Sequence, residues 1–337
     1  PADFSNSRSE LKDKVDPVYP LPLTTKSCKR FSGFIHQATP DDPKHGVRDT
    51  LIPWLLFSLS GEKEWRMLRK ASKCPAENCG AVLENLPGYY RRGKEGVLGR
   101  PELRTAIITR TGINRATGTA REGILFSREV IQKGFFWGEV LLEDDLEEKW
   151  SDFLTEDPVG GTVRVGSGRS SGLGKIKIQV EKAVSIDLDS VAQEIKERAL
   201  SFNDTLKAEA KKNSIKLGHN YYLPLTIGSD LILSNDYFGF RTSLDDEWWQ
   251  KITGARGKLV YQCARTRRIS GWDGIKKLPR EDAWGIAAGS VFVFALAEEP
   301  DYLQMARMQL AGIGERVGEG YGKIVWADNW HREVKML

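Results

Sequence analysis

Four side chains in the first quarter of the chain are of the types that hold soft divalent metals: Cys28, His45, Cys74 and Cys79. Thiolates and an imidazole in a set of four are the ligands of structural zinc. Cys74 and Cys79 stand in a C-x4-C half-knuckle, and Cys28 and His45 lie upstream in a stretch with little regular structure. One zinc on a Cys3His set would hold residues 26–82 together without a large core. The competing reading is a group of unrelated reduced thiols and a surface histidine. Cys263 falls in an expected strand and reads as a core residue.

Acid–base chemistry has thinner support. The histidines are His36, His45, His219 and His331, and no spacing suggests a triad. His219, just before an expected strand, is the one candidate general base for a metal-independent ribonuclease. A surface or capping role is the alternative. The expectation is therefore a protein that is not an enzyme.

Cationic chemistry is concentrated. Residues 251–280 hold nine basic residues (Lys251, Arg256, Lys258, Arg265, Arg267, Arg268, Lys276, Lys277 and Arg280) against the single acid Asp273, a local charge of +8 in a chain of net charge +4. Tyr261, Trp272 and Trp284 are interleaved. Cations meet phosphates and rings meet bases when single-stranded RNA is bound. A solvated charged loop is the plainer reading. A second region, 109–128, carries Arg110, Arg115, Arg121 and Arg128 among glycines and threonines. It reads as a loop that wraps RNA or braces a neighbouring subunit.

Two other stretches of the chain share one plan. Residues 135–142 are an apolar, aromatic run expected as a strand. Residues 143–155 put Leu146, Trp150 and Leu154 on one face of an acidic amphipathic helix. A glycine-rich loop, 166–174, and an alternating strand, 175–180, follow. Residues 290–326 repeat the order: strand 290–296, helix 298–310, loop 312–322, strand 323–326. Gly-Lys-Ile recurs at 174–176 and 322–324. A phosphate-binding NTPase loop needs Gly where Arg169 and Val317 stand, and Ser or Thr where Ile176 and Ile324 stand, so both loops fail that motif. G-x-G-x-x-G fails at Ser171 and Val317. Two readings stay open: a tight connection without ligand, or a cradle for an RNA backbone with Arg169, Lys175, Arg316 and Lys323 on phosphates.

A helix N-capped by Ser190 is expected to run to about Lys212, and residues 221–233 and 258–269 read as strands. In the first half, 47–59 is a helix candidate, and 106–109 and 123–126 are strands. Each half then approximates β-α-β-β-α-β, giving an α+β fold of two tandem ferredoxin-like domains, 1–182 and 183–337. The chain has 337 residues, 40% of them hydrophobic and 28% charged, which excludes a disordered polycation. Four cysteines are too few for a secreted disulfide scaffold of this length, and no apolar run approaches a membrane span, so a reducing cytoplasmic setting is expected.

The glycine loops, each before a final strand, resemble the signature of the repeat-associated mysterious proteins (RAMPs) of CRISPR effector complexes. More specifically, PLPLTTKSCKRFSGF (20–34), HGVRD (45–49), RTGINRATGTAREGILFSREV (110–130) and GWDGIKKLPREDAWGIAAGSVFVF (271–294) resemble the type III-D, Cas-five-like RAMP usually called Csx-ten. The resemblance implies two ferredoxin-like domains in a non-catalytic subunit. That subunit caps the effector where the 5′ tag of the guide RNA (crRNA) lies, beside the large polymerase-like subunit and a backbone subunit, in antiviral defence. Members usually carry a strand and helix before the segment equivalent to residue 18, so the first strand of domain one is expected from sequence outside 1–337.

Overall fold

The computed structural model describes residues 17–35, 45–76, 78–93, 98–101, 103–134, 136, 138–142, 146, 162–166, 168–178, 185–237 and 239–333. The first half begins with three short strands, β1 (Val18–Pro20), β2 (Thr25–Cys28) and β3 (Val47–Asp49), then two helices, α1 (Leu51–Leu59) and α2 (Trp65–Ala71). The strands β4 (Leu83–Asn85), β5 (Tyr89–Arg92) and β6 (Leu98–Gly99) complete two antiparallel sheets, ordered β3-β2-β4 and β1-β5-β6. The helix expected over 47–59 starts only at Leu51, because Val47 and Asp49 pair with Ser27 and Thr25.

Residues 109–128 do not form the expected wrapping loop. They belong to a long hairpin of β7 (Arg104–Ile113) and β8 (Ala120–Lys133), with only 114–119 as its turn. The reason is local: Ile and Thr recur along β7, and β-branched side chains favour a pleated ribbon. Two more strands, β9 (Thr162–Arg164) and β10 (Lys175–Lys177), pair across the first glycine loop. Among the described residues of 135–142 there is no strand; Phe136, Val140 and Leu141 are exposed there, with no neighbouring strand to pair with. Apart from Leu146, the helix expected over 143–155 lies outside the described residues.

The second half opens with α3 (Leu188–Lys212). Its N-cap is Asp187, whose carboxylate accepts from the Asp189 amide, so the helix starts before Ser190. Then come β11 (Tyr221–Ile227), α4 (Asp246–Thr253), β12 (Gly257–Cys263), the small strands β13 (Thr266–Ile269), β14 (Trp272–Asp273), β15 (Leu278–Pro279) and β16 (Ala283–Ile286), then β17 (Val291–Leu296), α5 (Tyr302–Ala311), β18 (Ile324–Trp326) and α6 (Trp330–Glu333). Four of the strands form one antiparallel sheet, β12-β17-β11-β18. With α4 and α5 the chain order is β-α-β-β-α-β, and β13–β16 form a ribbon inserted between the middle strands. Among the described residues the first half has only two- and three-stranded sheets.

Both faces of the four-stranded sheet are covered. Leu223, Leu225, Phe292 and Phe294 pack under Trp248 and Trp249 of α4, Met305 of α5 and the N-terminal part of α3. Tyr222, Val291, Val293 and Ala295 pack under Leu51, Leu55 and Leu56 of α1 with Phe202 and Leu206 of α3. That is why β17 reads as an unbroken apolar run. The register of α3 is set by a buried amide: Asn203 Nδ2 donates to the Tyr222 carbonyl at 2.9 Å, and the Tyr222 amide donates to Asn203 Oδ1 at 2.8 Å.

The glycine loops are congruent. Val165 N–H donates to the Gly174 carbonyl and Ile313 N–H to the Gly322 carbonyl, both at 2.9 Å. Each loop contains one 3-10 turn, Arg169–Ser171 or Val317–Glu319. A Cβ on Gly174 would lie 2.0 Å from the Val165 carbonyl oxygen, and one on Gly322 would lie 1.9 Å from that of Ile313; both glycines also have φ near +75° (77° and 74°). The glycines are therefore demanded by closure of the loop on itself. Gly322→Ala is expected to cost about 2 kcal/mol or more in a denaturant titration, since strain and collision add. Gly320→Ala meets open space and carries only the left-handed penalty of roughly 1 kcal/mol. Equal destabilisation in the two variants would contradict closure as the reason for Gly322.

Candidate metal centre and nucleic-acid interface

The sheet β3-β2-β4 and the turn after α2 bring Cys28, His45, Cys74 and Cys79 together. Their ligand atoms all lie within 4.8 Å of one another. Cys28 ends β2, His45 precedes β3, and the two remaining cysteines flank a turn closed by Cys79 N–H to the Ala76 carbonyl at 3.1 Å. Cys28 Sγ is 3.7 Å from Cys79 Sγ, and Cys74 Sγ is 3.4 Å from His45 Nδ1. Tetrahedral zinc with its usual bond lengths makes S···S edges of about 3.8 Å and S···N edges of about 3.5 Å. The set can hold a metal ion. Its surroundings agree: among the described residues the apolar cluster here is Cys28, Cys74 and Leu83, with Ala76, Cys79 and Ala81 against it. Burial pushes the Cys74 thiol up to about 11, while a hydrogen bond from the Ala81 backbone holds Cys79 down. Cys263 stands apart, half-buried on the edge strand β12 beside Tyr261, and is not a core residue.

The hairpin and the first glycine loop make one cationic surface. Arg110 Nη2 donates to the Ser171 carbonyl at 3.1 Å, and Arg128 Nη1 would lie 2.7 Å from a Cβ on Gly168. Arg115 and Arg121 line a hollow at the hairpin tip with Ile113 and Asn114. Arg169, in the 3-10 turn, and Lys175, opening β10, are exposed. None of these six cations has an ion pair among the described residues.

The ribbon β13–β16 and the second glycine loop make another. Here the local charge of +8 is partly cancelled by acids from elsewhere in the chain. Arg267 pairs with Asp230 at 3.2 Å, Arg268 forks onto Asp282, Arg280 reaches both oxygens of Glu319 at 2.7 Å, and Lys251 meets Asp236 at 2.6 Å. The Arg280–Glu319 pair ties the ribbon to the glycine loop. Arg265, Lys276 and Lys277 are exposed and without ion pairs among the described residues; Arg256 and Lys258 are too, but they stand at the start of β12, the opposite end of that strand from the ribbon. Trp272 and Trp284 are 62% and 49% exposed, which keeps their rings open to a stacking partner. Arg316 is half-buried with φ +56°, and Lys323 is exposed.

His219 is half-buried. Its amide donates to the Tyr222 hydroxyl at 3.3 Å, its ring meets Tyr222 edge-on, and it has no carboxylate or lysine partner among the described residues.

One polar centre has no trace in the sequence pattern. His331 Nδ1 is 2.9 Å from Asp49 Oδ2, and its Nε2 is 3.0 Å from the Thr226 hydroxyl. Thr24 donates to the other Asp49 oxygen. The neighbouring Trp330 packs on Phe34 and Tyr90. The helix α6 thus closes a core of the first half. The partners are separated by 282 residues, so no local spacing announces them.

Residues 197–329, all in the second half, match the family described as CRISPR-associated protein (Cas_Cmr3). That stretch, rather less than half of the chain, is similar to this CRISPR-associated family. No curated protein matches it. Among solved structures it is similar to a Cas6 product complex, at 12% identity over 66% of this chain and 84% of that one, with a TM-score of 0.32. It is also similar to a chain of the type III-B Cmr-beta complex bound to cognate target RNA, at 12% identity over 86% and 69% of the two chains, TM-score 0.30. The same complex with AMPPnP gives 14% identity over 86% and 72%, TM-score 0.29. Superpositions this loose decide nothing about activity. Among the described residues no helix is long and apolar enough to cross a membrane.

Proposed function

We propose that this chain is a non-catalytic, guide-RNA-binding structural subunit of a type III-D CRISPR effector ribonucleoprotein. It holds the 5′ tag of the guide and caps the complex, against the large polymerase-like subunit and a backbone RAMP subunit. The division into two RAMP domains near residue 182 belongs to the same proposal, supported by the congruent glycine loops. So does a single structural zinc on Cys28, His45, Cys74 and Cys79. When bound, zinc supplies a cross-link among three chain segments and no reaction chemistry.

The observation that carries the reading is the pair of exposed cationic surfaces, each built from a projecting β-ribbon and a glycine loop. Cations already committed to acids contribute less to a phosphate than uncommitted ones. The test is a filter-binding titration with tag-bearing guide RNA. Arg115/Arg121→Ala and Arg265/Lys276→Ala are each expected to weaken binding roughly tenfold near 0.1 M salt, and to flatten the salt dependence by about 0.7 for each phosphate left unneutralised. Arg268→Ala, whose guanidinium already holds Asp282, is expected to change little. Affinity and salt slope unchanged in both double variants would refute the assignment.

A further inference from the structure

A third cationic surface lies outside both of these. On α2, Arg66, Arg69 and Lys70 stand at i, i+3 and i+4, so they share one face, opposite the buried Leu68 and Ala71. All three are exposed and none has an ion pair among the described residues. Lys73, just past the helix, is exposed as well. Trp65 at the head of the helix is 54% exposed, and the Arg66 guanidinium carbon lies 6.0 Å over its ring.

The helix is short, and yet it is fastened at its far end. Arg48 Nη1 donates to the Ala71 carbonyl at 3.2 Å. Leu83 N–H donates to the Ser72 carbonyl at 2.9 Å, and Cys74 N–H to the Ala81 carbonyl at 2.7 Å. The cationic face is therefore held by the same β-turn assembly that carries the metal ligands.

We propose that this face of α2 grips the sugar–phosphate backbone of a single RNA strand, with Trp65 stacking a base beside it. Unpaired cations on a fixed surface match a polyanion, because each neutralised phosphate releases condensed counterions. Arg66 and Lys70 are about 6 Å apart along the helix axis, which lets them follow a strand rather than one charge. A half-exposed indole beside the cations, with Arg66 over one of its two faces, offers the other to a base. An acidic protein surface would use the cations and leave Trp65 unexplained. The inference rests on the RNA-binding reading above and adds a grip that the ribbons do not supply.

The test uses the full chain and a guide RNA. Arg66/Arg69/Lys70→Ala keeps the helix, since alanine is its best former, and leaves Lys73 beside the metal ligands untouched. The expected result is binding weakened roughly tenfold, with the salt slope lowered by about 1.4, the value for two phosphates left unneutralised. Arg66/Arg69→Lys retains most of the affinity. A triple variant with unchanged affinity and slope, in a preparation whose ribbon variants do weaken, overturns this inference alone. If the ribbon variants bind as the parent does while the triple variant weakens, the α2 face stands and the ribbon assignment falls. A parent chain that binds no RNA refutes both.

Discussion

Removing the metal ligands is expected to unfold one part of the molecule and spare the rest. In Cys74→Ser/Cys79→Ser, or after stripping with a strong chelator, the amides of β4 and of the turn 72–82 should exchange with solvent far faster, while those of β3, β11 and β17 stay protected. Whereas Val47 of β3 is buried in the core of Phe34, Tyr90 and Trp330, the described residues around the site itself enclose only Cys28, Cys74 and Leu83 as buried apolar side chains. That is too little apolar area to offset the conformational entropy of ordering its strands and turns, at about 1–2 kcal/mol per residue. A structural zinc contributes apparent binding energy on the order of 10 kcal/mol in small domains, enough to close that gap. The four-stranded sheet has its own cores, made of residues from α1, α3, α4 and α5. Elemental analysis of the purified chain should find about one zinc per molecule, as a four-ligand site predicts. Protection of β4 and the 72–82 turn that survives complete removal of metal would show that some other force holds the module.

The second large effect is expected at the buried Asp49–His331 pair. Its side chains are 4% and 0% exposed. Removing one partner leaves the other without compensation, which costs about 3–5 kcal/mol in comparable buried pairs. Asp49→Ala should therefore lower the denaturation midpoint sharply. The destabilisation is global, because the pair joins β3 of the first half to α6 and, through Thr226, to β11 of the second. Its pH dependence has a definite sign. Burial alone would depress the His331 pKa, but Asp49 at hydrogen-bond distance, with Asp328 behind it, raises it above the ordinary value. A raised folded-state pKa stabilises the protein fully below the unfolded value of about 6.5, and that contribution disappears as pH rises through the folded value. The stability gap between the parent and His331→Gln should thus be larger at pH 6 than at alkaline pH. A gap that widens with rising pH would mean that the imidazole is buried neutral.

The candidate metal ligands are legible in the sequence because their types are rare and their chemistry narrow: four cysteines in the whole chain, with two of them in a knuckle spacing. The duplicated glycine loops are legible because backbone closure requires glycine at fixed offsets, and that requirement is written in the residue type. The hairpin over 109–128 is masked as a loop because glycines and arginines interrupt its alternation of β-branched residues. The α2 face is present as an i, i+3, i+4 pattern, but nothing in that spacing tells an open face from a paired one. The charge of 251–280 overstates what is free to bind, since Asp230 and Glu319 lie far along the chain from the arginines they neutralise.

What the sequence by itself determined is what depends on near neighbours: glycine closure, the apolar run of β17, the knuckle spacing and the local density of cations. Only the tertiary structure decided which cations remain uncommitted, that α1 of the first half covers the sheet of the second, and that His331 meets Asp49. The physical reason is the same in each case. These are pairings between groups distant along the chain, and their energy comes from burial and proximity that exist only after the chain has folded back on itself.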